Sequence, residues 1–202
     1  MVTNAYLYNG YTVTKNFVKN INVCRNCGYR LYAKDDQQVR TGNGNINGNA
    51  VIVVRNARDA IILSELYKEL VKDESSIYDN FYITYSIRCD TNSQIGFDSN
   101  CIRFCAHILH DELCMITNIT DIVFVGPRLL ELYTQAEVRI PNTLLGKRNF
   151  DCISSITLYK HKSHVGYNRY TAYTHFVNEF KNLLTKYNIP IREFVNNQIK
   201  DD

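Results

Sequence analysis

Four short apolar runs punctuate the chain: Ala50 to Val54, Phe81 to Ile87, Asp121 to Val125 and Ile153 to Tyr159. Each is short and rich in β-branched or aromatic residues, so each is predicted to be a buried strand. Between them the apolar spacing becomes helical. Ile62, Leu66, Leu70 and Val71 recur on one face of Asp59 to Val71, and Ile102, Cys105, Leu109 and Leu113 do so in Asn100 to Met115. A last helix follows the fourth strand, with Phe176, Phe180, Leu183 and Leu184 along its face. Strands alternating with helices imply βαβ units and a mainly parallel sheet covered on both sides. The expected class is α/β, a three-layer αβα sandwich around four strands, with any site in the loops at their carboxyl ends. The stretch "TGNGNINGNA", Thr41 to Ala50, lacks the strand-then-helix context of a phosphate loop and reads as a flexible lead into the first strand.

Composition narrows the class without naming a chemistry. With 202 residues, 45% of them hydrophobic, the chain is long enough for one domain with a full core. It is read as a single domain over 1–202 with an N-terminal appendage at 1–22. No run of about 18 apolar residues is present to span a bilayer, and Met1 to Tyr11 lacks the basic-then-apolar order of a secretion signal. The expectation is a soluble, intracellular protein, not secreted and without a membrane partner, in the host cytoplasm if viral. A net charge of +3 permits nucleic-acid binding without arguing for it, because both signs are mixed along the chain.

Seven cysteines, an odd number, point to metal ligands and buried thiols rather than a disulfide framework. In "VCRNCGYR", Cys24 and Cys27 are spaced as half a metal site, in a loop ahead of the first strand. Cys89 ends the second strand in "YITYSIRCD", and Cys101 and Cys105 follow one turn apart on the next helix. Thiolates brought together from a loop, a strand end and a helix suit tetrahedral zinc or a cubane iron-sulfur cluster. The plain alternative is that Cys89, Cys101 and Cys105 are small buried hydrophobes. Cys114 on an apolar helix face and Cys152 entering the last strand read as core thiols.

In order along the chain stand "CRNC", "FYITYSIRC", "CAHILHDEL", "IVFVGPRLLELY" and "LYKHKSH". This order resembles the iron-sulfur class of uracil-DNA glycosylases. Members of that family carry a CxxC pair ahead of a strand with a GEAPG motif, and a second strand ending TN-x-V-K-C. A Cys-x-x-x-L helix, a V-A-L-G strand and a last strand ending Y-H-P-S follow. The likeness spans Val23 to Leu184. It implies the four-stranded parallel sheet of the glycosylase fold and a 4Fe-4S cluster held by Cys24, Cys27, Cys89 and Cys105. Cys101 is the rival fourth ligand, and zinc is the alternative metal.

At the pocket the chain departs from the family. GEAPG is replaced by "RNARD", Arg55 to Asp59, which keeps only Ala57. In the family this loop approaches the flipped base and its acid positions the attacking water, so Asn56 and Asp59 are what remains for that task. The F-x-G-x-x-G context that stacks on uracil is replaced by "AIILSELYKELV". The asparagine that reads the uracil edge corresponds to Tyr85, which would fill the pocket. HPS becomes "HKS", leaving His161 to stabilise the departing uracil, with His164 three positions on. Base excision needs a flipped nucleotide, a pocket gripping its Watson-Crick edge and donors for the developing charge. Losing one such donor costs a factor of about a hundred to a thousand, and several are missing together.

What the resemblance leaves is a frame with cations around its mouth. Arg55, Arg58, Arg88, Arg128, Lys160 and Lys162 would lie near the carboxyl ends of strands, to meet phosphates in a salt-sensitive way or simply to be solvated. In "GYNRYTAYTHF", Tyr167, Tyr170 and Tyr173 are placed to stack on bases or to pack beneath the last helix. Two readings follow. One is a noncatalytic glycosylase-fold iron-sulfur protein, a viral or accessory subunit binding DNA, RNA or a protein partner. The other is an active uracil-DNA glycosylase with a rebuilt pocket, hydrolysing N-glycosidic bonds in DNA repair.

Overall fold

The computed structural model describes residues 5–8, 11–14, 40–89, 99–116, 118–136, 148–156 and 167–192. In chain order the strands are β1 (Ala5–Tyr8), β2 (Tyr11–Thr14), β3 (Asn43–Gly44), β4 (Ala50–Val54), β5 (Phe81–Tyr85), β6 (Asp121–Val125) and β7 (Asn149–Ile153). The helices are α1 (Ala57–Leu70), α2 (Ile77–Asn80), α3 (Ser99–Met115), α4 (Pro127–Thr134) and α5 (Tyr167–Lys186). Among the described residues β1 and β2 pair with each other, antiparallel, inside the stretch read as an appendage.

The main sheet runs β3-β5-β4-β6-β7. β4 pairs in parallel with β5, Ala50 opposite Phe81, and with β6, Val51 opposite Ile122; β6 pairs in parallel with β7. The four expected parallel strands are therefore joined by a fifth, the two-residue β3, antiparallel to β5. That makes the sheet mixed and corrects the reading of Thr41 to Ala50 as a flexible lead. Its glycines serve close packing. A Cβ on Gly42 would come within 2.6 Å of the Tyr82 ring, and Gly44 takes φ +119°, with a Cβ that would lie 2.2 Å from the Phe81 carbonyl oxygen. Only glycine lets this segment press against β5 in that conformation.

β4 is apolar at every position because both of its faces are covered. Ala50, Ile52 and Val54 pack on one side with Leu63, Leu66 and Tyr67 of α1 and Phe176 and Phe180 of α5. Val51 and Val53 pack on the other with Ile102 and Leu109 of α3 and Leu129 and Leu132 of α4. The period-2 alternation of the strand thus separates two cores and sets a three-layer arrangement.

The elements differ from the sequence expectation in three places. β5 ends at Tyr85 rather than Ile87. The last strand is Asn149–Ile153 rather than Ile153 to Tyr159. It lies at the sheet edge, with Asn149 and Asp151 exposed, so it carries no continuous apolar run. The helix α4 was not expected, being two turns long and directly after a strand. Its start is nevertheless marked by Gly126, at φ +122°, and by Pro127 in the first turn.

Candidate functional site

The chain leaves β4 towards β5 on one side and returns through α3 to β6 on the other. α1 covers one face and α3 the other, so β4 and β6 diverge in their connections at their carboxyl ends. In open α/β sheets this switch point is where ligands bind. Its rim is made of Arg55 and Asn56 after β4, Ser86 to Cys89 after β5, Gly126 to Arg128 after β6, and Ser154 and Ser155 after β7. The β5 end continues the ladder past its last strand residue: Ser86 N–H donates to Val54 O at 2.8 Å and Ile87 N–H to Arg55 O at 2.7 Å. Gly126 N–H donates to Ile153 O at 2.8 Å, closing the β6 side.

The turn after β4 is occupied with its own structure. Asn56 is the N-cap of α1, and its side-chain oxygen accepts from Asp59 N–H at 3.1 Å. Asn56→Ala is expected to cost about 1 kcal/mol of stability by orphaning that amide, a loss readable as a lower urea midpoint with unchanged m. Asp59 is buried, and its carboxylate meets the Arg55 guanidinium at 3.2 Å. Burial pushes the Asp59 carboxyl up, with Arg55 and Arg58 only partly opposing that shift. The amide and acid expected to orient water are therefore used as a helix cap and an ion pair. Arg55 Nε and Ser86 Oγ are buried without a hydrogen-bond partner among the described residues. Arg58 and Arg128 are exposed, Arg128 paired with Glu131 on its own helix.

Tyr85 is buried among the residues packed against α1 and α5. Burial pushes its hydroxyl up to about 12. Its side chain belongs to the core between the sheet and these helices.

Arg88 was expected at the mouth, and the structure corrects this. Its side chain is fully buried and its guanidinium meets Glu112 of α3 at 2.6 Å. Glu112 Oε1 accepts from Gly42 N–H at 2.7 Å and from Tyr82 OH at 2.9 Å. Glu112 Oε2 accepts from Arg88 and from the Thr84 hydroxyl, which also accepts from Arg88 at 3.2 Å. Arg88 donates further to Arg40 O at 3.2 Å, and Arg40 N–H to Arg88 O at 2.9 Å. Burial alone would raise the Glu112 carboxyl, but the Arg88 charge and the donated hydrogen bonds outweigh it and hold the group below its ordinary value. Burial likewise opposes the Arg88 charge, and Glu112 outweighs it. A guanidinium committed in this way is not offered to phosphate.

Glu112 was not singled out in the sequence, although a signal exists. It lies seven residues after Cys105, two helical turns along the same face, so a carboxylate falls on the stripe that Cys105 and Leu109 bury.

Cys89, Cys101 and Cys105 are all buried. Cys105 lies close enough to Arg88 to interact with its guanidinium. In chemistry these thiols fit a thiolate-held group: soft donors, out of water, with Cys105 near the Arg88 cation. Cys24 and Cys27 lie outside the described residues, as do Lys160, His161, Lys162 and His164. Among the described residues no group of three or more His, Cys, Asp or Glu side chains is arranged to hold a metal ion. Cys114 and Cys152, expected as core thiols, are only half-buried.

A histidine that the sequence reading passed over reaches the rim from α5. His175 Nδ1 lies 3.1 Å from Ser154 Oγ and 3.4 Å from Glu179 Oε2, and Ser154 N–H donates to Glu179 at 2.7 Å. Both partners meet the same ring nitrogen. A serine-histidine-acid relay needs one partner on each nitrogen, so this cluster is a largely exposed surface anchor between β7 and α5. No described helix is long and apolar enough to cross a membrane. Comparison of the sequence with protein-family models and with curated proteins finds no match.

Proposed function

We propose that the chain is a noncatalytic protein of uracil-DNA glycosylase type that binds single-stranded nucleic acid over the carboxyl-end rim, as an accessory subunit. The observation that carries this reading is the state of the turn after β4. Asn56 caps α1 and Asp59 is held by Arg55, so neither is left to orient water. Tyr85, which the resemblance aligns with the asparagine that reads the base edge, is buried in the core. Cations remain at the same rim: the partly exposed Arg55 and the exposed Arg58 and Arg128. The Arg128 ion pair with Glu131 is exposed, and such pairs contribute little, so a phosphate competes for that guanidinium. The resemblance adds a structural 4Fe-4S cluster on Cys24, Cys27, Cys89 and Cys105, with Cys101 as the rival for the fourth place and zinc as the alternative metal.

Three phosphate contacts on a single strand predict a slope of log affinity against log salt of about −2. Affinity for a fluorescent oligonucleotide should therefore fall by about tenfold between low and physiological salt, read by anisotropy. Arg58→Ala should reduce the slope by about 0.7. A slope that Arg55→Ala, Arg58→Ala and Arg128→Ala all leave unchanged would place the nucleic acid elsewhere. No binding at low salt would turn the search to a protein partner.

A further inference from the structure

The far end of the sheet carries a second cluster of reactive side chains that the rim does not use. α3 ends here, ahead of β6, and α4 ends here after leaving β6. His110 and Cys114 are one turn apart on α3, with Cys114 Sγ 3.4 Å from His110 Nε2. His110 Nδ1 is in turn 3.3 Å from the hydroxyl of Tyr133 on α4. His110 and Tyr133 are buried, whereas Cys114 is half-exposed beside the exposed Met115. Arg148, just ahead of β7, donates to Ile116 O at 2.6 Å and acts on the charges of Cys114, His110 and Tyr133. A thiol meets a base, and the base is oriented through its other nitrogen by a third group: the general arrangement of an activated nucleophile.

We propose that Cys114 and His110 form a thiol-imidazole dyad that undergoes thiol-disulfide exchange with low-molecular-weight disulfides, making Cys114 a reversible redox-modification site. With Nδ1–H donating to the Tyr133 oxygen, Nε2 is the acceptor for the Cys114 S–H. The Cys114 proton passes to His110 Nε2 as Sγ attacks one sulfur of the disulfide. The reagent's S–S bond breaks, a mixed disulfide forms on Cys114, and the departing thiolate takes the proton from His110. Cys114 is oxidised and the leaving half of the reagent is reduced, so no further oxidant is needed.

The surroundings make the base necessary. Burial raises the Cys114 thiol above its ordinary value, with Asp111 adding to this and Arg148 opposing it. Little thiolate is present at rest. Burial also lowers His110, with Arg148 and His107 adding and Asp111 opposing, so the ring is neutral near pH 7 and ready to accept a proton. Proton removal during attack is the route such a pair leaves open, and general-base help of this kind contributes about a hundredfold or more.

The test is reaction of the full-length protein with 5,5′-dithiobis(2-nitrobenzoate), with modified cysteines located by peptide mass. Cys114 should be modified faster than Cys152, the other half-buried described thiol, and Cys114→Ser should remove that phase. His110→Gln should slow Cys114 by tenfold or more and flatten its pH profile through the imidazole range. Tyr133→Phe deletes one hydroxyl inside an intact core and should slow Cys114 several-fold, which guards against misfolding of the His110 variant. Cys114 reacting no faster than Cys152, or at an unchanged rate in both folded His110→Gln and Tyr133→Phe, would overturn the assignment.

Discussion

Replacing Glu112 by Gln is expected to destabilise the protein by about 3–5 kcal/mol, because it leaves Arg88 as a buried charge without a counter-ion. For a chain of this size that is a fall in Tm on the order of 10 °C. The carboxylate accepts from four donors: Gly42, Tyr82, Thr84 and Arg88. Gln supplies an amide nitrogen where two of those donors need an acceptor, so the loss extends beyond charge. Replacing both partners by apolar residues, Arg88→Met with Glu112→Leu, should recover the part of the loss that comes from the unpaired charge, but not the part from Gly42 N–H, Tyr82 and Thr84, which lose their acceptor. The pH dependence has a definite sign. Glu112 is held below its ordinary value of 4.5 when folded. It therefore contributes stability that is fully present above the unfolded value and lost as pH falls through the folded one. Urea titrations between pH 7 and pH 3 should show that acid-labile component in the native protein and its absence in Glu112→Gln. Equal stability of the two proteins at pH 7 would contradict the buried pair.

Phe124→Ala is expected to cost about 3–5 kcal/mol, the usual penalty for removing a buried aromatic ring that its neighbours cannot replace. Phe124 is fully buried on β6, with ring centroids 5.4 Å from Tyr133 and 6.5 Å from Phe150. These three rings fasten α4 to the sheet. Phe124→Leu keeps most of the volume and should cost far less, so the difference between the two variants in urea unfolding isolates the cavity from the loss of aromatic packing. Because Tyr133 orients His110, Phe124→Ala should also slow disulfide exchange at Cys114, at a denaturant-free condition where the variant remains folded.

How far the sequence could be read follows from where its apolar residues lie. β4 and β6 were legible to the residue because they are central strands with both faces covered, so no polar residue interrupts them. β7 was misplaced because an edge strand alternates, and Asn149 and Asp151 disguise it. β3 was invisible because two residues carry no period, and because Gly42 and Gly44 read as a loop while serving as close-packing points. At the rim the departure from the glycosylase motifs was legible from residue type alone. Which role each survivor plays was not. The carboxylate that neutralises Arg88 lies 24 residues away on α3, and His175 reaches β7 from the last helix. Contacts of that range depend on packing rather than local pattern. Cys114 was read as a core thiol because its helix face is apolar; the His110 contact one turn back is visible only as an i, i+4 pair.

The central proposal is that the chain is a glycosylase-type frame without glycosylase chemistry. The most direct measurement is uracil release from single- and double-stranded oligonucleotides. It should use protein purified anaerobically, with iron and sulfide content checked, at a salt concentration where oligonucleotide binding has been demonstrated. The account predicts bound oligonucleotide and no uracil above the uncatalysed background. Release that disappears in His161→Ala or Asp59→Asn would contradict it and establish a working, rebuilt active site.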